Sequence, residues 1–413
     1  MSEPGTAPWR RAEASRLIEF GRAAALPDGG FGWLGTNGEI DVTQPRPLYI
    51  NARMTHVFAL AHLDGVAGAD SLAASGLGAF GSRYADAENG GWFSSLGPSG
   101  NVIDSTKANY AHAHALLATA STVAAGIPGA ESAFAAAAAA IEQHFWSDAE
   151  GCALESWNAE FTELEPYRGA NSNMHSVEAY LAAGDVSGDP VWHARAASIA
   201  TRLINGHARS HAWRIPEHYD ENWQPLPDYN ADRRNDQFRP YGTTPGHSFE
   251  WARLLLTLEA AQTSPPAWLL DAATALFDTA VADAWHRDGH PGLIYTIDPD
   301  GQPVVTARLH WVACEAVLAA DALYRRTGEE RFAAVAARWW DEIDRYFIDR
   351  VGGGWWQELA PDMTPATSMW PGKPDLYHSY QALLLPSLPL SPTAATALAE
   401  QRRPGAAPPG PTP

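Results

Sequence analysis

Two cysteines, Cys152 and Cys314, are all that the 413 residues contain. So few exclude a disulfide framework, and free thiols suit a reducing compartment, so a cytoplasmic protein is expected. Cations are scarce: 28 Lys and Arg stand against 48 Asp and Glu, a net charge of -20. A surface of that sign repels phosphate backbones and anionic lipid, which argues against nucleic-acid and membrane partners. Long apolar runs are missing too. The most apolar, Ala133 to Ile141, is too short to cross a bilayer and reads as a buried helix. The N-terminus carries no basic-then-apolar signal pattern. Neither a Walker sequence nor a dinucleotide glycine fingerprint occurs, so no cofactor is expected. What is plentiful is aromatic and imidazole: 17 Trp, 15 His and 13 Tyr. On an acidic chain, stacking platforms and titratable rings point to an uncharged, hydroxylated small substrate.

Helical periodicity runs the length of the chain. Amphipathic stretches fall at 8–24, 49–65, 68–84, 104–126, 129–146, 170–184, 189–208, 243–262, 265–286, 304–327, 329–347 and 374–388, twelve in all. Every second connection is short, as at Ile127-Pro128, Asp185–Gly188, Thr263-Ser264 and Gly328, which makes antiparallel helical neighbours. The others are long and begin on glycine followed by aromatic or branched residues. Examples are Gly29-Gly30-Phe31-Gly32-Trp33, Gly90-Gly91-Trp92-Phe93 and Gly352-Gly353-Gly354-Trp355-Trp356. Such segments predict short β-hairpins. The longest, Ser210 to Tyr241, has the length of a loop that covers something. Six units of one long loop and two helices predict an all-α, closed (α/α)6 barrel, with hairpins at the active-site end. One domain is expected over 1–390. The Pro/Ala-rich tail 391–413 has nothing to bury and is expected to be disordered.

Unusual polar residues open every second helix: Arg53, His112 with His114, His175 with Glu178, His247 with Glu250, His310 with Trp311 and Glu315, and His378. Positions 53, 112, 175, 247, 310 and 378 step by 59, 63, 72, 63 and 68 residues, so each occupies an equivalent point in its unit. In a helical barrel those points meet at one end of the inner ring. A single histidine on a helix is more often structural than catalytic; several at one phase reverse that expectation. The pairs His175/Glu178 and His247/Glu250 share a helix face, where a carboxylate can fix the imidazole tautomer. Arg53 in an apolar helix must be paired or meet a polar ligand. Trp311 reads equally as cavity wall or core. Of His112 and His114, two apart, at most one faces the centre, and His310, Cys152 and Cys314 read as structural.

Two histidines across a cavity suit proton transfer near neutral pH, as at C2 of an open-chain aldose, with Arg53 to steady the enediolate oxygen. Other chemistries stay open. A glycoside hydrolase would need two carboxylates about 5 to 10 Å apart, nominally Glu250 with Glu315 or Asp375, and would leave the histidines unexplained. Zinc on His175, His247 and His378 lacks the HExxH spacing and sits poorly beside an arginine, so no metal is expected. A non-catalytic sugar-binding barrel needs the aromatics but not ring-spaced histidines.

The runs Asn171-Ser172-Asn173-Met174-His175-Ser176-Val177-Glu178, Pro245-Gly246-His247-Ser248-Phe249-Glu250, Tyr377-His378-Ser379-Tyr380-Gln381 and Asn51-Ala52-Arg53-Met54, with the GGW loops, resemble the N-acylglucosamine 2-epimerase superfamily. The resemblance covers nearly the whole chain except the tail and is nearest to the mannose and sulfoquinovose isomerase branch. It implies a metal-independent enzyme that converts D-mannose and lyxose-like aldoses to ketoses. The alternatives it carries are a sulfoquinovose isomerase and a 2-epimerase of N-acylglucosamine or cellobiose type. It implies that His378 moves the proton between C2 and C1, that His247 oriented by Glu250 moves protons between oxygens, and that His175 and Arg53 polarise the O1 and O2 region. Asn171, Tyr110, Glu178, Trp311, Arg239, Gln357 and Gln44 are the implied substrate-binding positions. The partner is then a monosaccharide, with monomer and homo-oligomer both open.

Overall fold

A computed structural model describes residues 2–403. Among these residues are thirteen α-helices, numbered in chain order. Six lie on the outside: α1 (Ala7–Gly21), α3 (Ala69–Ala79), α5 (Ala130–Ala140), α7 (Pro190–Ala200), α9 (Trp268–Ala284) and α11 (Glu330–Glu342). Six line the inside: α2 (Leu48–Leu63), α4 (Asn109–Ala124), α6 (Ala170–Ser187), α8 (Pro245–Ala260), α10 (His310–Thr327) and α12 (Tyr377–Leu384). Each inner helix packs on the next, and α12 returns to α2, so the ring closes as an (α/α)6 barrel. Five inner helices pack against the outer helix that follows them; α12 instead takes α1 from the start of the chain.

Burial follows from that placement. Inner helices have neighbours on every side, so α2 hides all its residues except His62. Outer helices bury one stripe: α5 buries only Ala130, Ala137 and Ala140. Four outer helices (α3, α5, α7 and α11) end in a widened π-helical turn, as at Phe80–Tyr84 and Ile343–Phe347, before the chain turns toward the mouth.

The long connections hold the expected short strands, and their pairing explains how the inner helices are aligned. The residues entering five of the six inner helices, α12 being the exception, pair with the loop of the following unit. Arg46–Pro47 pairs with Ser95–Leu96, Lys107–Ala108 with Ser156–Trp157, Tyr167–Gly169 with His218–Asp220, and Arg308–Leu309 with Glu358–Leu359. Thr243 makes the equivalent bridge to Ile297 ahead of α8. Gly242, at φ +90°, permits that bridge, because a Cβ there would run into the Ile297 carbonyl. The first helical N–H groups join the same scheme: Leu48, Asn109, Ala170 and His310 donate to the carbonyls of Ser94, Glu155, Glu217 and Gln357 at 2.8–3.1 Å. Amides that would be orphaned at a helix start thus fasten one unit to the next.

One expectation fails in part. The tail after Ser391 is not without structure, since α13 (Ala394–Gln401) lies across the far end of the barrel. It buries Ala395, Ala397 and Leu398 against α2, α4 and α6, while Thr393 ahead of it donates its N–H and hydroxyl to Asp185 at 2.6 and 2.7 Å. Three apolar side chains among many prolines were enough to anchor it. The remainder of that tail, 404–413, lies outside the described residues.

Candidate active site

The aligned helix starts surround one cavity at the mouth, lined by Arg53, Tyr110, Asn171, His175, His247, Glu250, Trp311, Gln357 and His378 among the expected residues. His378 Nδ1 donates to Glu315 Oε1 at 2.8 Å. His247 Nδ1 lies 3.0 Å from both oxygens of Glu217. A carboxylate on Nδ1 fixes the tautomer and leaves Nε2 as the free nitrogen of each ring. Trp311 is set between the two imidazoles, its ring 5.1 Å from His247 and 5.7 Å from His378. Gly246 makes room for it, since a Cβ there would meet the indole at 2.6 Å.

Glu250 therefore does not orient His247, contrary to expectation. An i,i+3 spacing puts two residues on one helix face, but the imidazole turns instead toward the loop that carries Glu217. Glu250 points into a buried group with Glu178 and Arg253, 3.8 Å from His175 Nδ1 and without a hydrogen bond on either oxygen. Burial, with the negative charge of Glu315 next, pushes its carboxyl well above the usual range, which favours the neutral acid. Burial also lowers His378, an effect that Glu315 opposes, so the ring is neutral and available as a base. His175 is lowered further, by burial and then by Arg53.

Each nitrogen of the Arg53 guanidinium makes one hydrogen bond. The side chain donates through Nε to His114 Nε2 at 3.0 Å, to Asp375 Oδ2 at 3.3 Å and to the Tyr110 hydroxyl at 2.8 Å, over the Tyr377 ring. His114 is thus the centre-facing member of its pair. His112 accepts from the Trp92 N–H and donates to the Ala108 carbonyl, a structural role.

Three expected substrate contacts lie elsewhere. Glu178 sits beneath the cavity, accepting from the Tyr377 hydroxyl and 3.7 Å from Arg253. Arg239 is not a lining residue: Glu165 holds it through two bonds of 2.6 and 2.9 Å, with Glu155 3.6 Å away. Gln44 lies in a turn closed by Asp41, away from the lining.

Other residues complete the wall. The long loop does cover the site, through Gln237 and Phe238, and Tyr295, Trp370 and Asp375 join them. His310, read as structural, lines the cavity with neither ring nitrogen partnered, and burial lowers it to about 3. Its place in the ring spacing was the available signal. Arg253 had one too, completing a ladder of His247, Glu250 and Arg253 at intervals of three. Glu217, in a loop, had none from helical spacing; only the strand staple reveals that Glu155, Glu217 and Gln357 occupy matching loop positions.

Two triads, His175/Glu178/Glu250 and Glu250/Glu315/His378, have the spacing to hold a metal ion. The Arg253 guanidinium already lies 3.0–3.7 Å from all three carboxylates, so a fixed cation fills the electrostatic place a metal would take.

Comparison with known proteins identifies the family and the fold. The sequence profile of the N-acylglucosamine 2-epimerase (GlcNAc 2-epimerase) family matches residues 29–382. The chain is 50% identical over 392 residues to a D-mannose isomerase of Thermobifida fusca, covering 95% of this chain and 96% of that one. It is 46% identical over 403 residues to a D-mannose isomerase of Pseudomonas cannabina pv. alisalensis, covering 97% of each. A crystal structure of a D-mannose isomerase superposes with a TM-score of 0.86 at 29% identity, over 92% of this chain and 98% of that one.

Proposed function

The chain belongs to the N-acylglucosamine 2-epimerase family, and from that premise we propose that it is an aldose–ketose isomerase interconverting D-mannose and D-fructose. The observation that carries the mechanism is the pair of imidazoles at one cavity, each with Nδ1 tied to a glutamate and Nε2 left free. His378 takes the C2 proton of the open-chain aldose as the C1 carbonyl becomes an enediol oxygen. His247 passes the O2 proton to O1, and His378 returns its proton to C1, which leaves a ketone at C2. Arg53, held by Asp375 and Tyr110, faces the developing charge on the oxygens. Trp311 and Phe238 form apolar walls for the sugar.

A neutral hexose suits this lining better than a sulfonated one. Arg53 is the sole arginine or lysine among the lining residues, and it is already paired, while Arg239 is neutralised by Glu165. The two buried free cysteines are compatible with a cytoplasmic setting. No described helix is long and apolar enough to cross a membrane.

The test is incubation with a panel of reducing sugars in excess chelator, with products separated by chromatography. Fructose from mannose without added metal is expected. Glucose as the sole product, or a strict metal requirement, would overturn the reading.

A further inference from the structure

Beneath His378 lies a buried group of charges that the proton-transfer scheme does not use. Arg253 on α8 donates through Nε to Glu315 Oε2 at 3.0 Å, and its Nη2 is 3.7 Å from both Glu178 Oε1 and Glu250 Oε1. Glu315 offers its other oxygen to His378 Nδ1. One carboxylate therefore bridges guanidinium and imidazole. Three carboxylates around one cation in a dry interior cannot all be ionised. Glu315 accepts two strong hydrogen bonds and Glu178 one from Tyr377, whereas neither oxygen of Glu250 accepts any. The proton therefore resides on Glu250, and Glu315 stays an anion against the imidazole.

We propose that Arg253 is a positioning residue for His378: it keeps Glu315 ionised and oriented, so that Nδ1 stays bound and Nε2 stays free toward the sugar. The inference deepens the isomerase reading and rests on His378 acting as the base. Arg253 does not line the mouth cavity, so it acts through Glu315 and not on substrate. The other titratable or charged groups that face His378 are Arg53 on α2, His175 on α6, Glu250 and His247 on α8, His310 on α10, and Asp375 just before α12, while Glu178 on α6 acts on Glu315. Unlike these, Arg253 donates a hydrogen bond to the carboxylate that holds the ring.

The experiment is the pH profile of kcat/KM, with the His378 ring titrated by NMR in sugar-free protein. Loss of a cation favours protonation of Glu315 and His378 alike, and turnover needs both deprotonated. In Arg253→Met the acid limb should therefore move up by about one pH unit, the low end of what a charge at this distance does. At neutral pH kcat should fall about tenfold, with KM within about twofold. Arg253→Lys keeps the charge, so its limb should stay within about 0.3 unit while kcat falls severalfold. Glu178→Gln removes a negative charge and should move the limb down, which decides the matter should Arg253→Met fail to fold. An unmoved limb in both variants, with kcat merely tracking folded protein, would overturn the proposal. Failure of the unaltered enzyme to make ketose would sink the isomerase reading instead, and the sugar-free titration would still decide the role of Arg253.

Discussion

At the mouth, the inner helices begin in extended residues fastened to the next loop; at the far end, they stop at short turns. Gly188 and Gly328 close α6 and α10 in left-handed conformation, donating back to Gly184 and Tyr324. The far end is then covered by α13, tied down where Thr393 donates to Asp185, and beneath it lies a second cavity in which His56 Nδ1 meets Ser121 at 2.7 Å while His56 Nε2 and Gln381 Nε2 have no hydrogen-bond partner. Unpartnered atoms of His310 and Asn171 also line the mouth, but what sets the mouth apart is the pair of carboxylate-held imidazoles, His247 and His378, facing its cavity under the long loop. The same six helices thus carry stability at one end and chemistry at the other. The long strand-bearing loops make the difference, since they register helix starts that are some sixty residues apart in the chain.

Substitutions should separate the two ends. The largest effect on turnover is expected at the imidazoles: His378→Asn or His247→Asn should lower kcat by about 10²- to 10⁴-fold in mannose-to-fructose assays, with circular dichroism unchanged. Glu217→Gln, which keeps the ring but loosens its tautomer, should cost about 10- to 100-fold in the same assay. At the far end Leu398→Ala should leave kcat within about twofold while lowering stability by about 2–3 kcal/mol in urea unfolding. A Leu398→Ala loss of turnover as large as that of Glu217→Gln would mean the two ends are not separable.

Much of this was legible in the sequence, and the reason is periodicity. The twelve barrel helices, the alternation of short and long connections and the matching phase of Arg53, His175, His247, His310 and His378 all follow from local pattern and spacing. Partners contributed by irregular segments were not legible. Glu217 reaches His247 from a loop thirty residues upstream, and no helical or strand period links them. For the same reason helix spacing alone pairs Glu250 wrongly with His247, and nothing in the local pattern signals that Glu165 holds Arg239. The anchoring of α13 escaped because three small apolar side chains scarcely register among prolines, although a waiting groove makes them sufficient.

The central claim is that imidazoles from distant units carry a proton along the sugar, and exchange with heavy water tests it most directly. After many turnovers of unlabelled mannose in D₂O, deuterium should accumulate at C1 of the fructose and at C2 of the recovered mannose, because in a fraction of cycles the protonated imidazole trades its proton with solvent while the enediol is still bound. Fructose and mannose that remain free of solvent deuterium at those carbons after full equilibration would mean a direct hydride shift, and would contradict it.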